Sequence, residues 1–319
     1  MSKFEAWKTN KSYYMKKIFV FCTTLLMVGM AQAQLSANLN EESWQQYLNK
    51  AYVTGNVMDV ELWPNGAPNS NGVVYDQPVK AGQGTIDMKP GLKVVLPRKS
   101  DKPSKAVVVC PGGGYAMLAT MHEGIMWNFF FGRENVATIM LTYRLPHGNH
   151  EVPASDVYQA IRIVKEHAKE WNIDPNQIGV MGSSAGGHLA STVATHAADD
   201  VRPAFQILFY PVITMDKRYT HMGTHDNLIG KDATPEMETL YSNEKQVTEK
   251  TPRAFIVLAD DDDVVPSINS AWYFAALKDH GVPANKHVYP TGGHGFGNSQ
   301  SWKYNADMLQ NLSDWLNSF

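Results

Sequence analysis

Cysteine is nearly absent: the 319-residue chain has two. Cys22 lies in an apolar stretch near the start, and Cys110 closes the run Ala106 to Cys110. A disulfide framework is thereby excluded, and Cys110 reads as a small buried hydrophobe. An excess of charge of either sign is also lacking, with 28 Lys+Arg against 31 Asp+Glu and 18% charged residues. Without a basic patch or stripe, nucleic acid is not an expected partner. No apolar run reaches the about 20 residues a spanning helix needs, so stable membrane insertion is not expected either. Repeats and low-complexity tracts are missing, and 44% of residues are apolar. What remains is an ordinary folded protein, long enough to bury a substantial core.

The first segment reads differently from the rest. In Met15 to Ala33, two lysines precede an apolar run from Ile18 to Met30, and Ala31-Gln32-Ala33 supplies small residues at both recognition positions. This is the pattern of a signal peptide cleaved before Gln34, with export to periplasm or medium as its consequence. Residues 1–33 are read as this leader, 1–14 resembling polar sequence upstream of a start at Met15. Its removal takes away five lysines and one glutamate and leaves a net charge of −7.

Residues 34–90 carry weak signals and read as an N-terminal extension packed on the main domain, with a short helix within Glu41 to Val53 and turns over Trp63 to Pro68. From 91 to 319 strands and helices alternate. Leu92–Leu96, Ala106–Cys110, Val136–Leu141, Ile178–Met181, Phe205–Phe209 and Ala254–Leu258 are strand-like runs. Helical stretches are expected over Asp156–Trp171, Ser184–Thr195, Pro266–Lys278 and Ser301–Leu316. Such alternation predicts an α/β fold: a mostly parallel central sheet with helices on both faces. The polar stretch 214–250 interrupts it and reads as a turn-rich insertion that shapes a pocket.

Three segments point to chemistry. Gly182-Ser183-Ser184-Ala185-Gly186 follows a strand and opens a helix, the context in which a strained turn lifts a serine hydroxyl above a sheet. Ser184 holds the nucleophile position and Ser183 the variable one. A hydroxyl attacks only when a base takes its proton and a carboxylate orients that base. The run Asp260 to Asp263 and then His294, set among glycines, supply both in the order Ser, Asp, His. Taken singly, the acidic run also fits a solvated or calcium-binding loop, and His294 an idle surface residue. The third segment, Pro111-Gly112-Gly113-Gly114-Tyr115, exposes backbone N–H groups to a developing oxyanion. A Walker loop is excluded because Tyr115-Ala116 follows where Lys-Ser/Thr is required. The N–H of Ala185, at the helix start, is the second expected donor.

These residues, with VVVCPGGGY (107–115), HEG (122–124), YRLP (143–146), IGVMGSSAGGHLAS (178–191), DDDVVP (261–266) and GGHGFG (292–297), resemble α/β-hydrolase serine esterases related to bacterial acetyl-xylan esterases. The resemblance runs from about Glu61, with ELWPNGAP, to the C-terminus. It implies Ser184 as nucleophile, His294 as general base and, through the D-x-x-V-P spacing, Asp262 as the acid, with Asp261 and Asp263 one residue away. It also implies Gly113 and Gly114 in the oxyanion hole, no metal or organic cofactor, and an acylated carbohydrate or other small ester as substrate. Ser183 stands where many relatives have Phe, and Gly223-Thr224-His225 where Gly-Ser-Arg is common. Feruloyl esterase, peptidase on the same fold and non-catalytic carbohydrate-binding protein are the competing readings.

Lesser features complete the picture. His221 and His225 are four apart, a zinc-compatible spacing on a helix, but the surrounding turn residues predict a loop and no metal. Asp156 is expected near a helix start as a capping acid, or as a supporting group beneath the site. Tyr115 and Trp127 are the expected sugar-stacking residues.

Overall fold

The computed structural model describes residues 57–75, 87–97 and 101–319. The expected leader and the helix expected within Glu41 to Val53 lie outside the described residues. Among the described residues eight strands form one sheet: β1 Val57–Glu61, β2 Gly91–Val95, β3 Ser104–Cys110, β4 Val136–Thr142, β5 Ile173–Ser183, β6 Phe205–Phe209, β7 Arg253–Ala259 and β8 Ala284–Tyr289. Their spatial order is β1-β2-β4-β3-β5-β6-β7-β8. The pairs β1–β2 and β2–β4 are antiparallel, and every pair from β4 to β8 is parallel. The described part of the expected extension therefore supplies an edge strand, with Met58 opposite Val94.

Seven α-helices lie among the described residues: α1 Asn128–Arg133, α2 Val152–Glu166, α3 Ala185–His196, α4 Met222–Ile229, α5 Pro235–Leu240, α6 Ile268–Asp279 and α7 Asn305–Leu316. The two-residue period of a strand divides its side chains between the faces of the sheet. On β3, Ala106, Val108 and Cys110 join one core with Val157, Ile161 and Val164 of α2, Leu189 and Val193 of α3, and Tyr273 and Leu277 of α6. Val107 and Val109 join the other, with Phe130 and Phe131 of α1 and Met308, Leu312 and Trp315 of α7. Covered on both faces, the central strands are mostly apolar where they are buried, which is why they were legible as nearly continuous runs. Cys110 is fully buried and unpaired, and burial pushes its thiol far above the ordinary range.

Two expectations are corrected. The stretch 214–250 is not merely turns: it carries α4 and α5, begun by the side chains of His221 and Thr234, each accepting from a backbone N–H of the first turn. Asp156 is not a cap. It lies inside α2, fully buried, and accepts from the Arg144 N–H, Nε and Nη2 and from Trp63 Nε1 at 2.6–3.1 Å. Burial raises its carboxyl, against the bonds and charge of Arg144, which pull the other way.

Parallel strands align their carboxyl ends at one edge. The segments after β3, β5, β6, β7 and β8 begin there, and they carry the glycine run, Ser184, Tyr210, the aspartates and His294. The chain goes from β3 to β4 on one side and then to β5 on the other. That reversal opens a crevice between β3 and β5, the place where open α/β sheets hold ligands.

Candidate active site

Ser184 joins β5 to α3 with φ 54° and ψ −122°, a conformation sparsely populated for a residue with a Cβ. Three backbone bonds hold it: its N–H donates to Phe209 O, and its carbonyl accepts from His188 N and Val212 N, all at 3.0–3.1 Å. Strand and helix pass so closely that a Cβ on Gly182 would strike the Gly186 carbonyl, and one on Gly186 the carbonyls of Cys110 and Pro111. The two glycines are a packing requirement of the turn.

The Ser184 hydroxyl lies 2.8 Å from His294 Nε2, and His294 Nδ1 lies 2.8 Å from Asp262 Oδ2. Asp262 Oδ1 accepts from the N–H groups of Val264 and Val265, both at 2.9 Å. Of the aspartates in the run, this one is turned inward, its side chain 1% exposed. Asp261 instead accepts from Gly293 N at 2.7 Å and pins the loop that carries His294; Asp260 and Asp263 are exposed. Burial alone would raise the Asp262 carboxyl. The bond and charge of His294, with the two amides, outweigh burial and hold it below its ordinary value. A depressed carboxyl contributes stability above its unfolded pKa and loses that contribution as pH falls through the folded one.

The glycine run reaches the serine from β3. A Cβ on Gly112 would sit 2.5 Å from Glu123 Oε2, 2.6 Å from the Ser183 carbonyl oxygen and 3.0 Å from Ser184 Cβ. The Gly112 N–H is occupied, donating to Glu123 Oε2 at 2.8 Å. The N–H groups of Gly113, Gly114 and Ala185 enter none of the hydrogen bonds found among the described residues, and Ala185 is the first residue of α3, where helix N–H groups have no intrahelical acceptor. Gly112→Ala should lower kcat by at least about 10²-fold, because the glycine run or the serine must shift by a large fraction of an ångström. Steady-state kinetics on 4-nitrophenyl acetate, with a thermal melt as folding control, measure this. Activity close to that of the unaltered enzyme would show that the glycine run is not packed on the serine as described.

The sugar-stacking expectation is corrected for both residues. Trp127 is fully buried against Phe130, Phe131 and Phe209, its ring centroid 4.8 Å from that of Phe209. Tyr115 is 3% exposed and donates its hydroxyl to His188 Nδ1 at 3.1 Å, while His188 Nε2 donates to the Tyr241 carbonyl at 2.8 Å. Burial pushes the His188 imidazole down to about 4, so it is neutral and fully hydrogen-bonded at neutral pH. Neither aromatic face is open to a ligand. Their signal in the sequence, an aromatic next to or downstream of the glycine run, is equally the signal of a buried packing residue.

His221 and His225 do not converge. His221 Nδ1 accepts from Thr224 N at 3.2 Å, which leaves the ring proton on Nε2 when the imidazole is neutral. Its Cε1 would lie 3.6 Å from a Cβ on Gly114, so the ring borders the glycine run. Burial first, then the nearby His294, holds it below the ordinary histidine value. His225 is buried between Asp226 and Glu238. Among the described residues no three metal-ligating side chains form a cluster.

Tyr210 and Glu123 had no role in the sequence reading. The Tyr210 ring stands edge-on to His294 with centroids 4.8 Å apart, and its hydroxyl donates to Glu123 Oε1 at 2.8 Å. HEG at 122–124 marked the resemblance without disclosing what its glutamate touches.

Residues 107–298 match the α/β hydrolase fold family. The chain is 43% identical over 218 residues to an acetylxylan esterase of Xylanibacter ruminicola, covering 67% of this chain and 45% of that one. It is 36% identical over 205 residues to endo-1,4-β-xylanase B of Butyrivibrio fibrisolvens, covering 59% and 32%. The chain thus spans less than half the length of these two curated relatives. Among solved structures, an acetyl ester-xyloside bifunctional hydrolase from Caldicellulosiruptor lactoaceticus superposes with a TM-score of 0.70 at 33% identity, covering 83% of this chain and 96% of that one. With the serine turn between strand and helix, the parallel sheet and these likenesses together, the chain belongs to the α/β hydrolase fold family.

Proposed function

We propose that this protein is a serine carboxylic-ester hydrolase that removes short acyl groups, acetyl foremost, from plant-polysaccharide fragments such as acetylated xylo-oligosaccharides. The observation that carries the reading is the hydrogen-bonded line from Ser184 Oγ through His294 to Asp262. In the reaction, Ser184 Oγ attacks the ester carbonyl carbon as His294 Nε2 takes its proton. The carbonyl oxygen becomes an oxyanion facing the N–H groups of Gly113, Gly114 and Ala185. Collapse of the tetrahedral intermediate expels the sugar alcohol, which takes the proton from His294. Water then attacks the acyl-serine with His294 again as base, releasing acetate and restoring the hydroxyl. Asp262 holds the imidazole with Nδ1 protonated and stabilises its charged form.

The likeness to an acetylxylan esterase and to an acetyl ester-xyloside hydrolase supports the acyl group and the sugar. Acetate release from acetylated xylo-oligosaccharides, compared with feruloylated arabinose, aminoacyl anilides and 4-nitrophenyl esters of rising chain length, tests the reading. Preference for the acetyl substrates is the expected result; faster anilide or feruloyl cleavage overturns it. The segment Met15 to Ala33 supports export. N-terminal sequencing of protein recovered outside the cytoplasm should begin at Gln34, and an intact leader there would contradict cleavage.

A further inference from the structure

Glu123 is a carboxyl group that the reaction above does not use, yet it is 4% exposed and lies beside the serine turn. A carboxyl in such a place is costly unless partners meet both oxygens. They do. Oε2 accepts from the Gly112 N–H at 2.8 Å and Oε1 from the Tyr210 hydroxyl at 2.8 Å, with His122 Nε2 3.8 Å from Oε1. The Tyr210 oxygen in turn accepts from the Gly297 N–H at 3.0 Å. Tyr210 itself is held with φ 35°, its N–H donating to Val257 O of β7 at 2.6 Å. A strained tyrosine is thus anchored to the sheet, with its ring against the base and its hydroxyl between two loops.

Resting on the serine-esterase reading, we infer that Glu123 is a positioning residue that locks the glycine run to the histidine loop through Tyr210. The connected groups run Gly112, Glu123, Tyr210, Gly297, so one buried bridge joins the segment that carries the oxyanion donors to the segment that carries the base. By occupying the Gly112 N–H, Glu123 also orients the peptide that leads into Gly113 and Gly114. The two sides of the site act on opposite ends of one event, proton removal and charge development. An error of about 1 Å between them costs on the order of 10²-fold in rate. A fixed distance between donors and base matters more in the transition state than in substrate binding, so its loss falls on kcat.

The test compares the unaltered full chain with Glu123→Ala, Glu123→Gln and Tyr210→Phe, using 4-nitrophenyl acetate kinetics, phenylboronic acid inhibition and thermal melts. Glu123→Ala should lose about 10²-fold in kcat with KM changed by less than about threefold, and phenylboronic acid should weaken in parallel because it forms a tetrahedral adduct on the serine. Glu123→Gln keeps an acceptor for Gly112 and an amide for Tyr210, and should recover at least about tenfold of that loss. Tyr210→Phe removes one oxygen and should lose about tenfold in kcat. Should Glu123→Ala fail to fold, Tyr210→Phe and Glu123→Gln carry the test. Overturning results are kcat within about twofold of unaltered enzyme in both Glu123→Ala and Tyr210→Phe, or a loss confined to KM or melting temperature. Ser184→Ala separates the two layers: if it stays active the esterase reading fails, whereas an inactive Ser184→Ala beside unimpaired Glu123 variants overturns only the bridge.

Discussion

Ser184→Ala should lower turnover of 4-nitrophenyl acetate by about 10⁶-fold, with folding unaffected. The size follows from what is removed. In the proposed reaction Ser184 Oγ is the protein atom that bonds to the acyl carbon, and it lies 2.8 Å from His294 Nε2, which takes its proton. Alanine keeps the Cβ, so the turn at φ 54° carries the same strain and the same three backbone bonds at 3.0–3.1 Å. Loss of activity can then be assigned to chemistry rather than unfolding, and superimposable melts check that. Residual activity of about 10³–10⁴ over water should persist, because the backbone N–H groups facing the oxyanion remain. Ser183→Ala is the internal control: its side chain is fully buried on β5, and most activity should survive. If Ser184→Ala retained activity and Ser183→Ala did not, the nucleophile would be the wrong serine.

Asp262→Asn should cost about 10⁴-fold, and the neighbouring Asp261→Asn only a few-fold at most. The contrast rests on hydrogen-bond polarity. Asp262 Oδ1 is fixed by two backbone donors, Val264 N and Val265 N. Asparagine must keep its carbonyl oxygen there, which turns its amide toward His294 Nδ1. An amide donates, so Nδ1 becomes the acceptor and the ring proton moves to Nε2. The nitrogen that should take the serine proton then already carries one. Asp261 makes a different bond, accepting from Gly293 N with an exposed side chain. An asparagine carbonyl accepts there equally well. Equal losses in the two variants would mean that the acid has been placed one residue away from its true position.

The serine turn was legible because it sits where local backbone demands are strongest. A serine at positive φ between a buried strand and a helix needs Gly182 and Gly186 within a few residues, so the requirement is written contiguously. The strands β3, β4 and β7, buried along nearly their whole length, were equally plain from their apolar stretches. Edge strands were not. β8 reads ANKHVY with most side chains partly or fully exposed, and β1 lies in a stretch full of turn residues; pairing with β7 and β2, rather than pattern, makes them strands. The helices of 214–250 were hidden by the same effect, since short helices owe more to packing and caps than to propensity. Tyr115 and Trp127 show the limit for aromatics: composition places them near the site, and only packing decides that both are covered. Glu123 lies 61 residues before Ser184. It is bonded to Gly112 and Tyr210, and through the Tyr210 hydroxyl to Gly297, and no local spacing could have assembled these groups.

The account depends on one hydroxyl being activated by a distant imidazole. Mass spectrometry of the protein after brief exposure to a fluorophosphonate measures that directly. A single adduct resolved to Ser184 is expected, absent in Ser184→Ala and strongly slowed in His294→Ala. An adduct on another residue, or labelling of Ser184 that is indifferent to the loss of His294, would contradict it.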